Sequence, residues 1–322
     1  MNREAISIAE GFEQIIRSTR DLLGEVFDEI AARHRRGKLA THTPPNEIHR
    51  LMRLVDDVQE AANMMRRNAI TPPSGTIEIS GDHRSLFELE TVGELLRTIG
   101  VVQKGWDKLR RSMVNASGYD HAVVALGLIQ VVKNWGIHAE LIPEDSASRL
   151  PDIRLDVSPA HPMHIEVKTK ASLIDPEVPI NYSVATKVIE AAMKSVGSSD
   201  DGQLNNRDSA WLAIGGYGIR SNELAVLKKA ATDRLKKRGH KRKYLESIVF
   251  LSFDVNPNPS TLDPDGSVSV QTQWKCAMEM ERVANPNYEG PIQIVEISNP
   301  AAELRGPNAF SRWNSVRVRK EI

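Results

Sequence analysis

Cysteine is almost missing from this chain: Cys276 is the only one in 322 residues. A single thiol excludes an internal disulfide, leaves no cysteine set for structural zinc, and fits a reducing cytoplasm. Aromatic residues are also sparse, at 5%, although hydrophobic residues at 40% suffice for a sizeable core. Charge of one sign is not in excess: 42 Lys and Arg face 42 Asp and Glu. That balance argues against a general polyanion binder but leaves room for a local basic patch. No apolar run approaches the roughly 20 residues of a membrane helix, so no membrane partner is expected. Residues Met1 to Glu13 carry Arg3, Glu4, Glu10 and Glu13, and so lack the apolar centre of a signal peptide. There is no G-x-S-x-G, no G-K-[ST], and no recognisable histidine partner for Cys276. The expected setting is cytoplasmic.

What is present is a polar hairpin. Pro151-Asp152-Ile153-Arg154-Leu155-Asp156-Val157 and His164-Ile165-Glu166-Val167-Lys168-Thr169-Lys170 both alternate apolar and polar residues. This is the period of a strand with one buried face. Ser158 to Pro162 supplies turn chemistry between them, so His161-x-x-His164 reads as polar loop. Ile153, Leu155, Val157, Ile165 and Val167 take the apolar face. Asp152 and Asp156 then share the other face with Glu166 and Lys168. Carboxylates of Asp152 and Glu166, with the Val167 backbone carbonyl, are the hard oxygen ligands that Mg²⁺ or Mn²⁺ prefers. Lys168 is placed to orient a water or neutralise a phosphate, which makes the spot a candidate phosphodiester hydrolysis centre.

Pro151-Asp152 followed by Glu166-Val167-Lys168 resembles the signature of the PD-(D/E)xK nuclease superfamily, over roughly residues 115 to 255. The resemblance implies a restriction-endonuclease-like α/β fold, a mixed central sheet flanked by helices. It also implies metal binding by Asp152 and Glu166 with help from Lys168, DNA as substrate, and a restriction or host-defence setting. In that family a helix ahead of the sheet often lends an acidic residue, which here would be Asp120; Ser117-x-x-Asp120 reads equally well as a capping box.

The sheet domain, 115–322, is expected to follow an all-helical region, 1–114. Helices are predicted over residues 4–36, 46–68 and 85–114, each with an apolar stripe, the last two as heptad seams. Such stripes pack on one another, on a second copy of the chain, or on a companion protein. A brief strand is expected at 76–79. In the second part, an all-apolar helix over 122–132 ends at Gly136, and a strand follows at 137–142. A helix over 182–196 carries Lys187 and Lys194, which the resemblance places toward substrate phosphates. The segment 210–214 reads as a strand, Gly215 to Gly218 as a tight strand-to-helix turn, and 221–238 as a helix. Further elements are a strand at 248–255, a helix at 274–283 and a strand at 292–297. Lys236, Lys237, Arg238, Lys241 and Arg242 form the densest basic stretch, a candidate phosphate-binding footprint. The rival reading is a catalytically inactive nuclease-fold binding module, or an assembly subunit acting through its helices.

Overall fold

The computed structural model describes residues 3–39, 49–70, 84–134, 136–143, 150–158, 161–169, 173, 178–197, 204, 209–217, 219, 221–257, 274–291 and 301–304. The chain divides into two compact units. One comprises residues 1–97 with 255–276 and 303–322; the other comprises 98–254 with 277–302. The first unit therefore ends at Arg97 rather than near residue 114.

Helices α1 (Arg3–Leu23), α2 (Glu25–Leu39), α3 (Arg50–Ile70) and α4 (Arg84–Leu95) make up the described part of the first unit. The expected helix over 4–36 is two, because Gly24 adopts φ 57 and its N–H closes on the Arg20 carbonyl at 2.7 Å. That is a glycine helix cap, a left-handed conformation costly to other residues. Phe12, Leu23, Ile30, Leu51, Val58, Ala62, Met65, Leu89 and Val92 are buried where α1, α3 and α4 pack together. The helix expected to run to 114 breaks as well. A π-helical turn, Leu96–Gly100, follows α4, and α5 (Trp106–Ser112) starts afresh in the second unit. Gly100 explains the break: a Cβ there would meet the Trp106 ring at 2.7 Å, so the ring packs on bare backbone.

The second unit is an α/β arrangement. Helix α6 (Ala116–Asn134) is buried on all sides from Ala122 to Ile129, as an all-apolar helix must be. It closes at Gly136, φ 76, with Gly136 N–H on the Lys133 carbonyl and Ile137 N–H on the Val132 carbonyl, the two bonds of a Schellman cap. Strands β1 (Ala139–Leu141), β2 (Ile153–Ser158), β3 (His161–Thr169), β4 (Ala210–Tyr217), β5 (Leu245–Pro257), β6 (Trp274–Ala284) and β7 (Ala301–Leu304) lie in chain order in one sheet. The pairs β1–β2 and β2–β3 are antiparallel; β3–β4 and β4–β5 are parallel. Parallel neighbours need crossovers, supplied by α7 (Tyr182–Gly197) and α8 (Ser221–Arg238). Both pack on one face through Val188, Ile189, Leu212, Ile214, Leu227 and Phe250.

Helix α6 takes the other face, and Gly215 shows how closely. A Cβ at Gly215 would lie 2.4 Å from Val124 Cγ1. Gly215 and Gly216 are thus sheet residues that admit a helix, not the expected turn. Ser158 pairs with His161, so both His161 and His164 belong to β3. The expected helix at 274–283 is strand β6. The strands expected at 76–79 and 292–297 lie outside the described residues.

Candidate active site

The register of the hairpin brings the two acids together. Ile153 pairs with Ile165, Arg154 with His164 and Leu155 with Met163, so one step further sets Asp152 opposite Glu166. Opposite residues in an antiparallel pair project from the same face, and Lys168 follows Glu166 by one strand period. Asp152 Oδ2 accepts the Val167 N–H at 2.7 Å, and Lys168 Nζ donates to Glu166 Oε1 at 2.6 Å. A strand residue presents its N–H and C=O at the same edge, so the Val167 carbonyl also faces the β2 side. The bond to Asp152 therefore brings the third expected ligand to the acids' edge of the strand.

The expected open polar face is closed. Glu166 is 1% exposed. Its carboxyl is pushed up from 4.5 to about 8, first by burial and then by the charge of Asp152, against the lowering pull of Lys168. Two carboxylates that raise each other's proton affinity are a site wanting positive charge. Oε2 of Glu166 is buried and, among the described residues, has no hydrogen-bond partner. This fits a divalent cation: an unsatisfied oxygen, a facing carboxylate and a strand carbonyl are hard donors. Among the described residues no group of three or more His, Cys, Asp or Glu side chains is arranged to hold a metal. Mg²⁺ binding by one or two carboxylates plus waters does not require such a group.

The acids open onto a cavity of about 560 Å³ lined also by Val167, Lys168, Lys108, Ser117 and His121. His121 was not singled out from the sequence. Its Nε2 lies 3.2 Å from Asp152 Oδ1, so α6 reaches the site through His121. Asp120, the expected helix contribution, does not line the cavity. Nor does Ser117-x-x-Asp120 cap the helix, since α6 already begins at Ala116. A signal was present: Ser117 and His121 sit four residues apart, on one helical face, just before the all-apolar run. Asp156 is elsewhere, ion-paired with His138 and Arg154.

The basic residues are not at this site. None of Lys187, Lys194, Lys236, Lys237, Arg238, Lys241 and Arg242 lines the cavity. His164, Ala210 and Leu245 mark one level across β3, β4 and β5 at their amino ends. Asn285 ties that level to the end of α8, donating to the carbonyls of Gly239, Arg242 and Leu245. Arg242 also donates to the Met193 carbonyl at 3.1 Å, which brings the last turns of α7, with Lys194, to the same end. Lys168 lies four residues further along β3, about 13 Å, and two strands across. Lys236, Lys237, Arg238 and Lys241 are exposed there, whereas Arg242 is half-buried and serves as a structural tie.

No protein-family model, curated protein or solved structure matches the chain. No helix among the described residues is long and apolar enough to cross a membrane.

Proposed function

We propose that this chain is a metal-dependent nuclease of the PD-(D/E)xK type, hydrolysing phosphodiester bonds of DNA. One observation carries the reading: Asp152 and Glu166 face each other across β2 and β3, with a buried, unpartnered Glu166 oxygen between Asp152 and Lys168. The element order α6, β1 to β3, α7, β4 supports a restriction-endonuclease-like fold for the second unit.

Asp152, Glu166 and the Val167 carbonyl would hold Mg²⁺ or Mn²⁺. Such an ion supplies a Lewis acid for a phosphoryl oxygen and lowers the pKa of an attacking water. Lys168, already 2.6 Å from Glu166, orients that water and neutralises charge developing on the phosphate. The Val167 N–H and His121 hold Asp152 from two sides, which fixes its carboxylate before substrate arrives. Pairing of two copies through the helical unit would supply two such centres, as cleavage of both strands of a duplex requires.

The test uses purified protein with plasmid and oligonucleotide DNA in Mg²⁺ or Mn²⁺, beside Asp152→Ala and Lys168→Ala. Cleavage by the wild type that both variants lose supports the reading. Intact DNA in every lane overturns it. The second reading is a nuclease-fold binding module without catalysis, favoured by the lack of a three-residue metal group among the described residues. Binding of DNA without cleavage is its signature.

A further inference from the structure

We infer that Lys108 and Ser117 form a phosphate-binding wall opposite the carboxylates, where α5 and α6 meet over the cavity. The inference rests on the nucleic-acid reading of this site and names the chain's own grip on the substrate backbone. Helix α5 presents Lys108 and Ser112 to the cavity, and α6 presents Ser117 and His121. Each pair is spaced by four residues, which places its members on one helical face. The two faces meet because Gly118 lets the helices touch: a Cβ there would lie 2.1 Å from the Ser112 carbonyl oxygen. One polar wall therefore faces the strand edge that carries Asp152 and Glu166.

The side chains of that wall have different capacities. Ser112 Oγ donates its proton to the Leu109 carbonyl at 2.7 Å, and His121 stands against Asp152. Neither has a proton to give to a phosphate without losing that contact. Ser117 is exposed, and its hydroxyl is free to donate among the described residues. Lys108 is exposed at the rim and brings a full positive charge. The acid beside it, Asp107, already accepts from Arg110 at 3.1 Å. The first turn of α6 adds its unbonded N–H groups at the same wall, so the local field favours an anion there. A cation between the carboxylates and a lysine opposite them suit a substrate with one negative charge per linkage, which is a phosphodiester strand. Lys108 and Ser117 then hold backbone phosphates while the linkage between them is presented to Asp152 and Glu166.

The experiment measures binding separately from cleavage. Fluorescence anisotropy of a labelled 12-nucleotide single-stranded DNA is followed with the full chain in Ca²⁺, an oxygen-seeking cation, over a range of salt. Lys108→Ala is expected to weaken binding five-fold or more and to reduce the slope of log K against log salt by about 0.7, one phosphate on a single strand. Lys108→Arg restores both. Ser117→Ala weakens binding roughly two- to six-fold, a neutral hydrogen bond of about 0.5–1 kcal/mol, without moving the slope. Wild type that binds with Lys108→Ala unchanged in affinity and slope overturns the inference, as does wild type that binds no DNA. The same samples are then scored for cleavage in Mn²⁺. A chain that binds through Lys108 and never cleaves keeps the wall and sinks the hydrolase. Cleavage with Lys108-independent binding does the reverse.

Discussion

Replacing Glu166 with glutamine should stabilise the metal-free protein, and by an amount that depends on pH. The wild-type carboxyl is buried at 1% exposure and pushed from 4.5 to about 8. Between those two values the folded chain keeps a proton that the unfolded chain has released. Stability therefore falls as pH rises through that window; the contribution is fully present below 4.5 and gone above 8. At about 1.4 kcal/mol per unit the whole window is worth about 5 kcal/mol as a ceiling, and about 3 kcal/mol at pH 7. The glutamine amide imitates the protonated acid: its carbonyl accepts from Lys168 and its amide group faces Asp152. It has no proton to lose, so the variant carries none of this slope.

The assay is thermal unfolding of both proteins in EDTA from pH 5 to 9. The curves should nearly meet at pH 5 and part as pH rises, the variant melting roughly 6–12 °C higher at pH 7. Adding Mn²⁺ at pH 8 should reverse the order. A hundred-fold excess over its dissociation constant adds about 2.7 kcal/mol to the protein that binds it, and the variant has lost one ligand charge. Wild type and variant running parallel from pH 5 to 9 would refute the reasoning, because burial would then impose no proton on this carboxyl.

Gly215→Ala should cost about 1–3 kcal/mol by overpacking against Val124, and Val124→Ala in the same chain should return most of it in a double-mutant cycle read by urea unfolding. Arg282→Met should cost about 3–5 kcal/mol in the same measurement, because it strands the buried Glu246 carboxylate with only Trp211 and Ser247 as donors. Alanine at Lys236, Lys237, Arg238 and Lys241 should leave cleavage of a saturating short oligonucleotide unchanged. It should weaken binding of a long duplex and flatten the salt slope by up to about 0.9 per lost phosphate contact.

The hairpin was legible because strand alternation is local: Ile153, Leu155, Ile165 and Val167 fix the faces, and the faces fix where Asp152 and Glu166 project. Burial of Glu166 was not legible, since it depends on what covers the polar face, and that is decided by packing of distant elements. The role of His121 was hidden for the same reason: its partner is 31 residues away in sequence, and only the helix-on-sheet geometry joins them. Strand β6 was misjudged despite a usable signal. Trp274, Cys276, Met278 and Met280 alternate with Lys275, Ala277, Glu279 and Glu281, a period of two that also satisfies coarse helical spacing. The break at Gly100 and the strand role of Gly215 share a cause. Both glycines stand where another element approaches the backbone, and sequence alone shows only a missing side chain.

The donors around the acids constrain what completes the site. Val167 N–H and His121 serve the two oxygens of Asp152, and Lys168 serves one oxygen of Glu166. The remaining oxygen, Oε2, is left among buried neighbours with Asp152 as its electrostatic opponent. Either a proton or a cation satisfies it, and each excludes the other. A surface carboxylate would face no such choice, because water would serve both oxygens and the charge would be cheap. Burial therefore sets the competition: it makes the proton bind up to about pH 8 and makes a divalent ion the stronger occupant above it. Metal-induced stabilisation that grows with pH and saturates near 8 would follow from this arrangement. Stabilisation independent of pH across the same range would place the ion away from Glu166.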